Sequence, residues 1–221
     1  MRGPFAGAFG RVASALTGSV GLDANGSRYA GIYRGIASMS WESPLGLGDS
    51  FSVSYLQSET GGLDFTLLGY TLPVGSNGLK LGINASTVNY KLNDDDFPLG
   101  LNGDAESIGA FALYPVIRSR NLNLFALAGF DKKEFTDRQS LSGLETVKEL
   151  DTFRVALSGD SRDGLVGGGL NFFNIGLEES KTNYPAGVPF GLDDELNAMR
   201  VNYSFGRLQS LVPGKLMLWS F

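Results

Sequence analysis

Leu63-Asp-Phe-Thr-Leu-Leu-Gly-Tyr-Thr-Leu-Pro-Val-Gly-Ser-Asn-Gly-Leu-Lys-Leu-Gly-Ile-Asn-Ala-Ser-Thr-Val-Asn-Tyr-Lys-Leu92 reads as two long β-strands joined by a tight turn. The first arm alternates Leu63, Phe65 and Leu67 with Asp64 and Thr66; the second alternates Leu79, Leu81 and Ile83 with Lys80, Gly82 and Asn84. A strand with one apolar and one polar face requires this period of two. Pro73 sits where a missing N–H does little harm to the ladder, and Asn77-Gly78 tolerates the positive φ of a tight reversal. The arms are also long. A soluble strand averages about 5–6 residues, whereas one crossing a bilayer on a tilt needs about 9–11.

The rest of the chain repeats this unit. Its 221 residues show no break in composition and read as one domain, 1–221. Although 43% of them are hydrophobic, no apolar run reaches the roughly 18 residues of a transmembrane helix, which leaves a membrane β-barrel open. The 31 glycines occur inside the apparent strands as well as in turns, as a curved sheet with close backbone approaches demands. Cysteine and histidine are absent, which removes disulfides, thiolate chemistry and every imidazole-based catalytic scheme. A net charge of -5 and a pI near 4.8 argue against a nucleic-acid partner. Met1 to Ser19 makes a poor signal peptide because Arg11 interrupts its apolar stretch, so the N-terminus reads as a truncation point or a chance start.

In order, Gly18 to Leu22 ends a first strand, and Asp23 to Ser27 reverses the chain through Asn25-Gly26. Tyr29 to Trp41 sets Tyr33, Ala37, Met39 and Trp41 against Arg34, Ser38 and Ser40. Phe51, Val53 and Tyr55 alternate with Ser52 and Ser54, and Leu122, Leu124, Ala126, Ala128 and Phe130 mark a seventh strand. Phe153, Val155 and Leu157 alternate with Arg154, Ala156 and Ser158, followed by an expected turn at Ser158 to Asp163 and a strand ending Phe173, Ile175, Leu177. Met199, Val201, Tyr203 and Phe205 alternate with Arg200, Asn202 and Ser204. Short turns are expected after Trp41, Leu72, Val116 and Ser158, and long loops after Leu92, Phe135 and Leu177. Alternate connections of an antiparallel sheet lie at opposite ends, so one rim is trim and the other carries the loops, as in outer-membrane barrels.

Asp23-Ala-Asn-Gly-Ser-Arg-Tyr-Ala-Gly31, Ser43-Pro-Leu-Gly-Leu-Gly-Asp49, Gly69-Tyr-Thr-Leu-Pro-Val-Gly75, Tyr90, and Ser158-Gly-Asp-Ser-Arg-Asp163 with Gly167 to Gly169, in this order and spacing, resemble the barrel of the two-partner secretion transporters (TpsB proteins, the haemolysin secretion/activation family). The resemblance runs from about Gly18 to Phe221. It implies an all-β, antiparallel up-and-down transmembrane barrel of which this chain supplies about eleven strands out of roughly sixteen. It also implies that the chain carries no POTRA domain and stops before the sixth outer loop with its Arg-Gly motif. An unclosed wall leaves edges whose unpaired backbone groups cost several kcal/mol each in lipid, tens of kcal/mol for about five groups per edge. The expectation is therefore a fragment of a longer product, rather than a degenerate copy or a half that closes by oligomerising.

On this reading Arg34, Ser52, Ser54, Arg154, Arg200 and Asn202 face the lumen, while Tyr33, Met39, Trp41, Val201, Tyr203 and Phe205 face lipid. The bland alternative makes the first set simply the wet face of an antiparallel sheet. Trp41, Tyr33, Tyr203 and Trp219 suit an aromatic girdle. Asp94, Asp95 and Asp96 do not fit an EF-hand, since Pro98 and Leu99 occupy the ligand and glycine positions, and Gly167 to Gly169 is a bent strand rather than a phosphate loop. No catalytic, metal or cofactor site is expected, and no enzyme activity. The resemblance implies a protein of the bacterial outer membrane, bounded by its lipid, that passes an unfolded secreted partner of the haemolysin or adhesin type (TpsA-like) outward. The alternatives are another outer-membrane barrel, such as a porin or an assembly factor, and a soluble β-sandwich that binds carbohydrate or adheres, folding as a monomer without detergent.

Overall fold

The computed structural model describes residues 15–93, 100–187, 195–212 and 215–220. Eleven strands follow one another: β1 (Ala15–Asp23), β2 (Arg34–Glu42), β3 (Ser50–Ser58), β4 (Leu63–Val74), β5 (Leu79–Lys91), β6 (Leu101–Arg118), β7 (Leu122–Gln139), β8 (Leu144–Asp163), β9 (Gly169–Ala186), β10 (Glu195–Val212) and β11 (Lys215–Ser220). All lie in a single sheet in sequence order, each antiparallel to the next. A β-sandwich would need a second sheet stacked on the first, and among the described residues there is one sheet only.

Because side chains alternate and the register is continuous, each strand's face is tied to its neighbour's. One face carries Met39, Val53, Leu68, Ala85 and Ile108, then Phe130, Phe153, Leu177, Val201, Tyr203 and Phe205. The other carries the serines, arginines and carboxylates described below. Apolar side chains on the first face stand open, Tyr203 at 80% and Ile108 at 64% exposure, and Ala30 is the one buried hydrophobic residue among those described. The accessible surface is 15203 Å², against about 9,800 Å² for a compact 23.6 kDa domain. The polar face is the less exposed of the two, Asn84, Ser86, Ser107 and Lys133 being half-buried. Side chains converge on the inside of a curved sheet and diverge on its outside, so the polar face is concave and the apolar face convex.

The convex apolar band has a sharp upper limit. On β7 it runs from Leu122 to Phe130, about 27 Å along the strand at about 3.4 Å per residue, and is followed by Lys132 and Glu134. Across the sheet Lys132 is level with Asp151, which is level with Lys181. Strands β6 to β10, of 18 to 20 residues, therefore overshoot the band on this side. Lys132 meets Glu149 at 3.8 Å and Lys181 meets Glu195 at 2.8 Å on the projecting outer surface.

Several expectations change. The stretch from Asp137 to Lys148 is not a loop: β7 and β8 continue through it, leaving residues 140–143 as the turn. Arg138 holds Asp104 at 2.6 Å and Glu145 at 3.2 Å across three strands, and β-branched Thr136, Thr146 and Val147 favour extended backbone. Ser158 to Asp163 is likewise strand, because Asp163 is fixed by Arg207 (2.6 Å) and Asn171 (2.8 Å) on the next two strands. The reversal follows it at residues 164–168, with one 3-10 turn over Leu165–Gly167. Pro73 lies inside β4 opposite Lys80, beyond the β3 ladder, which stops at Thr71. Leu63, Phe65 and Leu67 share the concave face with Ser54 and Ser86 rather than the convex face of Leu81 and Ile83. Asp94 to Asp96 lie outside the described residues, as does the side chain of Trp219.

Tyr29 to Tyr33 precede β2 rather than form its start. Tyr29 O accepts from Asn93 N (2.8 Å), Ala30 O from the Thr60 hydroxyl (2.8 Å) and Tyr33 O from Glu59 N (2.9 Å), which straps residues 24–33 across the neighbouring connections. Gly31 at φ +108 allows that path. At the opposite rim the turn from Ser43 to Asp49 closes on a fully buried Asp49. Its carboxylate accepts from Leu47 N (3.2 Å), Leu45 N (3.3 Å) and the Tyr70 hydroxyl (2.9 Å).

Burial alone would push the Asp49 carboxyl upward, but the Tyr70 hydroxyl and the turn's N–H groups outweigh it and hold the group below the usual carboxylate range. A depressed carboxyl stabilises the fold fully above its unfolded value of about 3.9 and loses that contribution as pH falls through the folded value. Asp49→Asn is therefore expected to lower the thermal midpoint, read by circular dichroism in detergent, at neutral pH. The gap to the wild type should shrink steadily below about pH 4; a gap independent of pH would contradict the assignment.

Candidate functional site: the concave wall

The register stacks the concave side chains in rows running across the strands. One row is apolar: Ile36, Leu56, Phe65, Val88, Ala105 and Phe135 follow one another from β2 to β7. It ends where the Lys148 ammonium lies 4.5 Å from the centre of the Phe135 ring, a cation–π contact. The next row holds Ser19, Ser38, Ser54, Leu67, Ser86, Ser107 and Lys133. Below it come Thr17, Ser40, Ser52, Asn84, Asp131, Thr152 and Ser180, with Gly69 and Gly109 between them.

Ion pairs cross these rows. Arg154 donates to Asp131 at 2.6 Å, and Asp131 is only 6% exposed. The carboxylate lies directly over Gly109, where a Cβ would collide with its Oδ1; any other residue there would displace the pair. Glu178 lies level with both Arg154 and Arg200 and approaches Arg200 at 3.8 Å. The result is an alternating series of acid and base from β7 to β10. Nearer the overshooting rim, Arg34 pairs with Asp23 at 2.9 Å, and the Tyr90 hydroxyl donates to Asp137 at 2.7 Å.

All six residues expected to face a lumen, Arg34, Ser52, Ser54, Arg154, Arg200 and Asn202, are on this one face. Met39, Trp41, Val201, Tyr203 and Phe205 are on the other, and Tyr33, 61% exposed, precedes β2 next to Arg34. The structure brings Arg154 and Arg200 into one charged series with Asp131 and Glu178 and leaves Arg34 apart at the rim. Asp131, Lys133 and the apolar row are not picked out by the sequence reading. Asp131 could have been found, since it falls on the opposite parity to Ala126, Ala128 and Phe130; the row could not, because its members lie on six strands whose register no single stretch reveals. Among the described residues no group of acids is placed to hold a metal ion.

The profile of the haemolysin secretion/activation proteins ShlB/FhaC/HecB matches residues 11–145. The heme/hemopexin transporter protein HuxB of Haemophilus influenzae strain 86-028NP is 25% identical over 156 residues, which cover 71% of this chain and 27% of that protein. HuxB of strain ATCC 51907 / DSM 11121 / KW20 / Rd is 24% identical over the same span. Among solved structures, CdiB from Escherichia coli superposes with a TM-score of 0.69 at 18% identity, covering 93% of this chain and 40% of its own. The chain thus spans about a quarter of the length of the HuxB proteins it matches. With more than half of its length inside the family profile and its strands following a solved outer-membrane barrel, the chain belongs to the ShlB/FhaC/HecB haemolysin secretion/activation family, a family of outer-membrane β-barrel transporters.

Proposed function

We propose that residues 1–221 form part of the barrel wall of a two-partner secretion transporter, through which an unfolded TpsA-like partner of the haemolysin or adhesin type crosses the outer membrane. The observation that carries this is the separation of the two faces: β1 to β10 keep a continuous apolar band on the convex face and gather the serines and ion pairs on the concave one, with the apolar band ending at the level of Lys132, Asp151 and Lys181. Lipid would meet Met39, Trp41, Val201, Tyr203 and Phe205, with Tyr33 beside them at the rim. The lumen would be lined by Arg34, Ser52, Ser54, Arg154, Arg200 and Asn202. Passage of a chain through such a wall needs no bond chemistry. It needs a surface that replaces the chain's hydration without holding it, which serine hydroxyls and internally neutralised ion pairs provide.

The chain has no cysteine, so single replacements report cleanly. In intact cells Ser54→Cys and Asn202→Cys should react with a water-soluble maleimide, while Val53→Cys and Val201→Cys should react only with a lipid-soluble one. A polyethylene glycol maleimide at Ser54→Cys should stop partner secretion. Loss of this alternation, or secretion unaffected by the attached polymer, would refute the conduit.

The wall must also hold its shape. Arg154→Gln leaves the Asp131 carboxylate buried without its guanidinium, a loss of about 1–3 kcal/mol. Asp131→Asn with Arg154→Gln should recover much of it, measured as a double-mutant cycle on denaturant unfolding in detergent. Simple addition of the single effects would show that the pair is not coupled.

A further inference from the structure

The concave wall holds a recess of about 340 Å³ that none of the ion pairs fills. Ser86, Ser107 and Lys133, level with one another on β5, β6 and β7, line its middle. Asn84 and the Asp131–Arg154 pair form its lower edge, and Val88, Ala105 and Phe135 from the apolar row form its upper edge. Asp131 is committed to Arg154 at 2.6 Å, so that pair adds no net charge. Lys133 differs: it is half-buried and makes no hydrogen bond or ion pair among the described residues, unlike its neighbour Lys132 on the convex face, which meets Glu149. A half-buried ammonium with two hydroxyls and an amide around it satisfies its donors best by sharing an anion with them.

We propose that this recess is a carboxylate-binding site in which Lys133, Ser86 and Ser107 hold an acidic side chain of an extended polypeptide while Val88 and Phe135 cover an adjacent apolar one. Glu106 also borders the recess, but it shares the parity of Ile108 and turns its side chain to the convex face, so the concave side chains around the recess carry a net +1 from Lys133, with Arg154 and Asp131 cancelling. A carboxylate matches it in charge, and the rows above and below match the alternation of an extended chain, whose neighbouring side chains need different surroundings. The polypeptide as carrier of the carboxylate rests on the conduit reading; the anion site itself does not. The site does not retain a whole segment, because one charge-assisted contact at a partly wet position is worth only a few-fold in affinity. It slows acidic stretches relative to neutral ones and so sets a charge preference on what the lumen accepts.

Lysine acylation tests this on the protein expressed from its whole reading frame, purified in detergent, with mass spectrometry reading each site. Lys80 shares the concave face but lies outside the recess and serves as the internal control. Hexaglutamate should slow acylation of Lys133 about five-fold without slowing Lys80, hexaserine should slow neither, and Ser86→Ala with Ser107→Ala should abolish the protection while Lys133 stays reactive. Equal protection of Lys80 and Lys133 would mean diffuse attraction and overturn the site. Lys133 inert without any peptide would show the recess already covered and overturn it as well. Protection by acetate at the same carboxylate concentration would keep the anion site and remove the polypeptide. The Ser54 and Asn202 labels above read failure of the conduit separately from either result.

Discussion

A backbone that enters hydrocarbon must satisfy every N–H and C=O from within, since no water is there to do so. This requirement fixes the form of the molecule. The chain meets it by pairing each strand with the next one in sequence, so that no crossover connection has to pass through the apolar layer. Continuous pairing has a second consequence. Once Phe130 stands opposite Phe153, the orientation of every other side chain on those strands is settled, and a slip of one residue would turn Asp131 and Arg154 towards the convex side. Two register shifts, at Val147/Glu149 and Ser210/Val212, fall near strand ends; the third, at Pro115/Ile117, lies level with Phe125 and Leu124, so the parity of β6 changes only towards the lower end of the apolar band.

Curvature then decides what the inside can hold. Convergent side chains leave little room, and the concave face alternates bulk with absence of bulk: the Tyr90 ring lies against Gly103, and Asp131 lies over Gly109. The rims are closed by polar contacts between segments far apart in sequence. Tyr70 reaches Asp49 at 2.9 Å, which joins two of the stretches that mark the family resemblance, and Arg207 gathers Asp163 and Asn171 at the same rim.

Face assignment was the legible part. Alternation in Phe153 to Ser158 and in Met199 to Phe205 places those side chains without knowledge of their neighbours, because a period of two is a local property. Strand ends were less legible. Asp137 to Lys148 and Ser158 to Asp163 are rich in polar and turn-forming residues, and they become strand because Arg138 and Arg207 bridge to partners on adjoining strands. Leu63, Phe65 and Leu67 misled for a related reason. Their apolar alternation is real, but it belongs to the concave face, where Phe65 continues the row of Leu56 and Val88, and only the pairing of Leu67 with Ser54 and Ser86 shows which side of the sheet that is.

Layering gives the concave wall its physical character. Successive rows change from rim charges through an apolar row to serines and then to ion pairs, and along any one strand the change comes every second residue, about 7 Å. A flexible chain against such a wall finds no long stretch that suits it. Wherever an apolar side chain sits well beside Phe65 or Phe135, its neighbours meet hydroxyls, and moving on by one row exchanges the two. Desolvation penalties and contact gains stay close to balance at every step, so no single position becomes a deep minimum. A uniformly apolar wall would trap hydrophobic segments, and a wall of unpaired charges would trap ions of opposite sign. Pairing Asp131 with Arg154 and Glu178 with Arg200 avoids the second outcome, and interrupting the concave apolar side chains, the row from Ile36 to Phe135 and Leu67, Phe111 and Leu127 below it, with hydroxyls and ion pairs avoids the first.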